Sequence, residues 1–155
     1  MAWEEAIGNY AWSPDSSQII YDGLTYVATG TEAIFARSLA GGTEQRLTDY
    51  VSETEYAFSP ALAPGNDRMA YLADFSGPEG QTYSLLLQDL TGGEPTLLGD
   101  FDTVLNLSWS PSGQWLIFNA GPWESQQLMA VNVSDGSTIK LGPGTMPEVA
   151  YDSNH

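Results

Sequence analysis

Apolar residues fall in short runs along the whole chain, broken at regular intervals by Pro, Gly, Ser and Asp, and no run carries the three-and-four spacing of an amphipathic helix. The pattern predicts strands and little else. Ile7 to Ser13, Gln18 to Tyr21 (with Leu24 to Ala28 prolonging the pattern), Ala33 to Leu39 and Glu44 to Leu47 form a first set. Thr54 to Ser59, Arg68 to Ala73, Tyr83 to Leu90 and Pro95 to Leu98 form a second. Val104 to Ser110, Gln114 to Phe118, Gln126 to Val133 and Ser137 to Leu141 form a third. The breaks carry turn chemistry: Pro14 cannot donate to a ladder, Asp15-Ser16-Ser17 favours a turn, and Gly41-Gly42, Gly92-Gly93 and Asp135-Gly136 read as tight hairpins.

Each set opens on the same phrase, an apolar strand end, an aromatic and a Ser-Pro turn: Tyr10-Ala11-Trp12-Ser13-Pro14-Asp15, Tyr56-Ala57-Phe58-Ser59-Pro60 and Leu107-Ser108-Trp109-Ser110-Pro111-Ser112-Gly113. The aromatics are 46 and 51 residues apart, a period that fits one propeller blade of four strands. The expected fold is all-β, a β-propeller of about three four-stranded antiparallel blades in a single domain spanning 1–155. Blade 1 covers about 4–49, blade 2 about 50–100 and blade 3 about 101–144, with 145–155 the start of a fourth unit or a closing strand.

This order of aromatic-Ser-Pro, aromatic or β-branched second strand, apolar third strand and Gly-Gly or Asp-Gly hairpin resembles the TolB-type, WD-like β-propeller repeat. It is also similar to the propeller domains of prolyl-oligopeptidase-like peptidases. The resemblance covers nearly the whole chain and implies that the aromatic fills space between blades while the Ser-Pro segment makes the turn. Two departures stand out. Phe58 takes the place of the commoner Trp, and the second unit lacks the Asp-Gly turn, so that Ala61 to Asp67 is expected to be an enlarged loop.

Charge narrows the partners. Twenty acidic side chains against four basic ones give a formal charge of −16, which repels phosphate backbones and anionic headgroups, so neither nucleic acid nor a membrane is an expected partner. No stretch approaches the length of apolar membrane span, and no cysteine is present to form a disulfide, a thiolate nucleophile or a metal ligand. Met1 to Ile7 has neither the basic nor the apolar region of a secretory signal, so the chain as given reads as cytoplasmic, or as periplasmic or extracellular if it is a mature or excised piece.

An inventory of reactive groups argues against catalysis. The lone histidine is His155 at the last position, and neither a Gly-x-Ser-x-Gly elbow nor a phosphate-cradling Gly-Lys-Ser/Thr loop occurs. The acidic pairs Glu4-Glu5, Glu53 with Glu55, and Asp100 with Asp102 could in principle do acid-base work, but Asp100 and Asp102 read as a solvated connection between blades, and Asp15, Asp49 and Asp67 do not build a twelve-residue calcium loop. No catalytic residue, cofactor or metal site is expected.

The aromatics Trp12, Phe58, Trp109, Trp115, Tyr21, Tyr71 and Phe118 sit at equivalent places in the units and are expected to pack between blades. Trp123, in the loop Gly121 to Ser125, and Trp3, near a terminus, are the candidate contacts for a partner. The expected function is a non-catalytic protein-binding scaffold whose partner the residues do not specify. The alternatives are a propeller segment gating a hydrolase encoded on other sequence, and a lectin-like or metal-binding module. Three blades leave two faces without a neighbour, so self-association is expected, most simply as a homodimer whose six blades close a ring. Tyr10 and Trp12 mark one candidate closing strand. Val149 and Tyr151, in the segment Pro147 to Ser153, mark another that competes for the same inner position.

Overall fold

A computed structural model describes residues 7–25, 31–48, 55–75, 82–122 and 124–143. Their regular structure is entirely β. The first sheet holds β1 (Ile7–Trp12), β2 (Gln18–Thr25), β3 (Thr31–Ser38) and β4 (Gln45–Arg46). The second holds β5 (Glu55–Leu62), β6 (Arg68–Phe75), β7 (Tyr83–Asp89) and β8 (Thr96–Phe101), and the third β9 (Val104–Trp109), β10 (Trp115–Ala120), β11 (Gln127–Asn132) and β12 (Thr138–Pro143). Each sheet is a four-stranded antiparallel meander in chain order. β1 meets β5 and β5 meets β9, so the first strand of every sheet lines a common inner rim. These are three blades of a β-propeller.

The turn after each inner strand is made the same way three times. The backbone N–H groups of Ser13, Ala63 and Ser110 donate to the carbonyls of Gln18, Arg68 and Trp115. Three residues on, those of Ser16, Asn66 and Gly113 donate back to Ser13, Ala63 and Ser110. Ser16, Asn66 and Gly113 all take positive φ, near 60°, a backbone that Asn and Gly adopt most readily. This corrects the phase read from the second unit. The counterpart of Trp12 and Trp109 is Leu62, and Ala61 to Asp67 is no enlarged loop but the end of β5 followed by a turn of the same length as the others.

Phe58-Ser59-Pro60 lies instead inside β5, at a β-bulge. The register slips between Phe58 and Ala61 in the second sheet, between Ile7 and Tyr10 in the first, and opposite Ile117 to Asn119 in the third. The residues three before Trp12, Leu62 and Trp109 are therefore equivalent: Asn9, Ser59 and Asn106. The last two adopt positive φ. Such a bulge bends the strand and frees a backbone N–H from the ladder. In the first two blades that donor finds one acceptor, because the carboxylate of buried Asp22 receives the N–H of Asn9 at 2.7 Å and that of Ser59 at 2.8 Å.

Strand alternation gives each blade two packing faces. The face of β2 bearing Ile20, with Ile34 and Ala36 of β3, packs on Leu62, Met69, Tyr71 and Ala73 of the second blade. The opposite face of the second blade, with Ala61, Ala70, Leu72 and Leu85, packs on Trp109, Leu116, Phe118 and Ala120 of the third. We call the face turned to the preceding blade leading and the face turned to the next blade trailing. Ile20, Met69, Leu72, Leu85, Leu116 and Phe118 are almost wholly buried, and side chains of this size each contribute about 1.5–3 kcal/mol on leaving water. The Trp109 indole also donates to the Ala61 carbonyl at 2.9 Å, beneath the guanidinium of Arg68.

The expectation that all the repeated aromatics are core is met by Tyr21, Tyr71, Trp109 and Phe118. It fails for Trp12, which is 54% exposed, and Phe58 and Trp115 are only half-buried. Trp12 holds the position of Trp109, but no described blade packs on it.

Candidate interaction surface

The leading face of the first blade is aromatic, with Tyr21 and Phe35 buried and other side chains open to solvent. β1 places Tyr10 beside Tyr21 and Trp12 beside Ile19, and β3 continues the row with Phe35 beside Tyr21 and Arg37 beside Ile19. Tyr10 and Trp12 are exposed, as is Leu39 at the end of β3. With Ile19, Tyr21 and Arg37 they line a groove of about 560 Å³. Its floor is ordered from below, since Tyr21 stacks obliquely on Phe35 with ring centroids 6.0 Å apart and donates its hydroxyl to Glu44.

The trailing face of the third blade is the other face on which no described element packs. It carries Ile117, Ala130 and Ile139 in cross-strand register, with Asn119 beside Leu128 and Leu141 on the outermost strand. Ile139 and Leu141 are exposed. Asn119 is wholly buried, yet neither its amide nitrogen nor its amide oxygen has a hydrogen-bond partner among the described residues.

A smaller hollow of about 340 Å³ lies near the inner rim among Tyr56, Phe58, Asp74 and Tyr83. Phe58 meets the Tyr83 ring edge-on at 5.7 Å. Burial, and then the charge of nearby Asp74, push the Tyr83 hydroxyl above its ordinary value of 10. A neutral phenol beside a carboxylate can both donate and accept hydrogen bonds.

Two of the acidic residues singled out in the sequence, Asp100 and Asp15, accept hydrogen bonds within the fold. Asp100 accepts the Ser84 hydroxyl, while Asp15 accepts the hydroxyls of Ser13 and Ser17 and the backbone N–H of Ser17. Those contacts, led by the Ser13 hydroxyl, hold the Asp15 carboxyl at about 2 instead of 3.8. Among the described residues no group of three or more His, Asp or Glu could hold a metal ion. Tyr10 and Trp12 lie on the aromatic face. Trp3, Trp123, Val149, Tyr151, Glu4, Glu5, Asp49, Glu53 and His155 lie outside the described residues.

Sequence reasoning missed Leu39, Arg37, Ile139 and Leu141. Aligning the blades by their turns would have found two of them. Leu39, Leu90 and Val133 each donate a backbone N–H to the loop before the second strand, at Ser17, Asp67 and Gln114, so they share one position. Leu47, Leu98 and Leu141 share another by cross-strand register. In both sets every member but the exposed one packs against an inter-blade cluster.

No family model matches the chain, and no curated protein sequence is similar to it. Solved structures do share its fold. TolB from Acinetobacter baumannii matches 91% of this chain and 33% of its own with a TM-score of 0.71 at 21% identity. The β-propeller domain of the Trilobed protease from Pyrococcus furiosus matches 89% of this chain and 43% of its own, with a TM-score of 0.64 at 10% identity. A chain of the nidogen/laminin complex matches 90% of this chain and 49% of its own, with a TM-score of 0.69 at 11% identity. The chain thus spans between about a third and a half of the length of these structures, and its three blades have the fold shared by TolB and the propeller domains of prolyl-oligopeptidase-like peptidases.

Proposed function

We propose that the chain acts as a non-catalytic, protein-binding scaffold of β-propeller type. The observation that carries this reading is the leading face of the first blade, where Tyr10, Trp12 and Leu39 stand exposed around an apolar groove. Large aromatic side chains clustered on a rigid sheet are the common anchors of protein interfaces, and a solvent-facing patch of this kind is costly unless something covers it. One structural neighbour is itself a chain of a two-protein complex, nidogen with laminin.

The reading is tested by affinity capture from the source organism with the native chain and with Trp12→Glu and Leu39→Glu chains. A stoichiometric protein retained by the native chain and lost from both variants supports a scaffold working through this face. Equal retention by all three refutes it.

A second reading draws on the match to the Trilobed protease propeller, in which the blades would gate a hydrolase carried on other sequence. It predicts that the source gene encodes a catalytic domain contiguous with these blades.

A further inference from the structure

We infer that the leading face of the first blade docks on the trailing face of the third blade of a second copy of this chain, so that two copies close a six-bladed ring. This names the partner of the surface on which the proposed function rests.

The inference comes from comparing the two open faces with their buried counterparts. The leading face of the first blade carries Trp12, Ile19, Tyr21, Gly23 and Phe35. At the same register positions the third blade carries Trp109, Leu116, Phe118, Ala120 and Met129, and that set is packed against the second blade. The trailing faces agree as closely. Ile20, Asp22, Ile34 and Ala36 of the first blade, the surface that receives the second blade, correspond to Ile117, Asn119, Leu128 and Ala130 of the third. The second blade matches neither set as well, with Leu62 where the others have Trp and Leu72 where they have Asp or Asn. Each of the two faces therefore carries the residues that meet a blade elsewhere in the chain, with Tyr21, Phe35, Asn119 and Ala130 buried and Tyr10, Trp12, Leu39, Ile139 and Leu141 left exposed around them.

The leftover groups complete the match. Among the described residues the large apolar side chains left exposed are Tyr10, Trp12, Leu39, Leu97, Ile139 and Leu141, and all but Leu97 belong to these two faces. Asn119 occupies the place of Asp22, whose carboxylate takes the bulge N–H of the following blade, and its own amide has no partner among the described residues. A docking first blade brings the bulge residue Asn9 to that place; its backbone and side-chain N–H groups donate to Asp22 of its own blade, which leaves its amide oxygen to accept from the Asn119 amide. A leading face meeting a trailing face is a heterologous contact, and with the three described blades in each copy a half-turn closes it within the usual size of propellers.

Sedimentation velocity at micromolar concentration tests the inference with the native chain, Trp12→Glu and Leu141→Glu. Both substitutions are at exposed positions, and circular dichroism reports whether each variant keeps its sheets. The native chain is expected to be a dimer. Each variant alone is expected to be a monomer, with at least about a thirtyfold loss of affinity, as for the truncation of an aromatic anchor. An equimolar mixture of the two variants retains one intact pair of faces and is expected to recover a heterodimer. A native monomer overturns the inference, as do a folded variant that dimerises as well as the native chain, a mixture that stays monomeric, and open assemblies larger than a dimer. A native monomer that still captures a different protein through Trp12 would defeat the self-pairing and leave the scaffold reading standing.

Discussion

The carboxylate of Asp22 in the first blade accepts the backbone N–H of Ser59 in the second at 2.8 Å, and so ties two blades through one buried side chain. The same group takes the Asn9 N–H at 2.7 Å and the Asn9 side-chain amide at 3.0 Å. Removing the acceptor strands two backbone donors at once. Asp22→Ala is expected to lower unfolding stability by about 2–4 kcal/mol, and Asp22→Asn by less, since one amide oxygen still accepts. Urea unfolding of the three chains checks the order. A loss below about 0.5 kcal/mol for Asp22→Ala would mean that water replaces the carboxylate.

Asp15 sets an acid limit. Its pKa of about 2 in the folded chain lies below the ordinary 3.8, so its contribution is fully present above about pH 4 and is lost as the pH falls through 2. The stability difference between the native chain and Asp15→Ala is therefore expected to be constant near neutrality and to shrink progressively from about pH 4 as the pH falls through 2. A difference that grows on acidification would contradict the assignment.

The turn alignment makes a prediction at Ala63. Ser13 accepts the Gln18 N–H on its hydroxyl at 2.9 Å and Ser110 accepts the Trp115 N–H at 3.1 Å, whereas Ala63 has no hydroxyl to offer Arg68. Ala63→Ser is expected to raise stability by about 0.5–1 kcal/mol, and Ser13→Ala to lower it by a similar amount. Thermal unfolding measures both. Destabilisation by Ala63→Ser would show that the second turn is built differently from the other two.

How much of this was visible in the chain depended on whether a residue's role was local. The strands, the hairpins and the count of blades were legible, because alternation and turn residues act over a few positions. The phase of the second unit was not. Phe58-Ser59-Pro60 imitates the aromatic-Ser-Pro phrase while serving a bulge, and the true turn hides behind Leu62-Ala63-Pro64. Nor was the difference between Trp12 and Trp109 legible from the residues around them. They occupy the same place in their blades, but the second blade packs on Trp109, 6% exposed, and no described blade packs on Trp12, 54% exposed. Of the candidate contacts, Tyr10 and Trp12 came from the repeat itself.

Two copies that each carry a formal charge of −16 repel one another, while the faces proposed to meet are mainly apolar. Raising the ionic strength from about 0.02 to about 0.3 M shortens the screening length from over 20 Å to under 10 Å, so association is expected to strengthen with salt. Dissociation constants from sedimentation across that range check the sign. Weakening with salt would point to ion pairs as the source of affinity.

Disulfide capture between copies tests the ring most directly. Within the chain, the Asn66 side chain of the second turn reaches Asp15 of the first, and the guanidinium of Arg68 in the second blade reaches the Gly113 carbonyl of the third turn at 3.4 Å, so successive turns lie side by side. In the proposed ring the same alignment would bring Ser112 of one copy beside Ser16 of the other. Both are exposed, and the native chain has no cysteine to interfere. On mild oxidation, a mixture of Ser16→Cys and Ser112→Cys chains is expected to give a covalent dimer of about 33 kDa, twice the 16.7 kDa of one chain, in far greater yield than either variant alone. No covalent dimer from the mixture, or equal yields from one variant by itself, would contradict the head-to-tail ring.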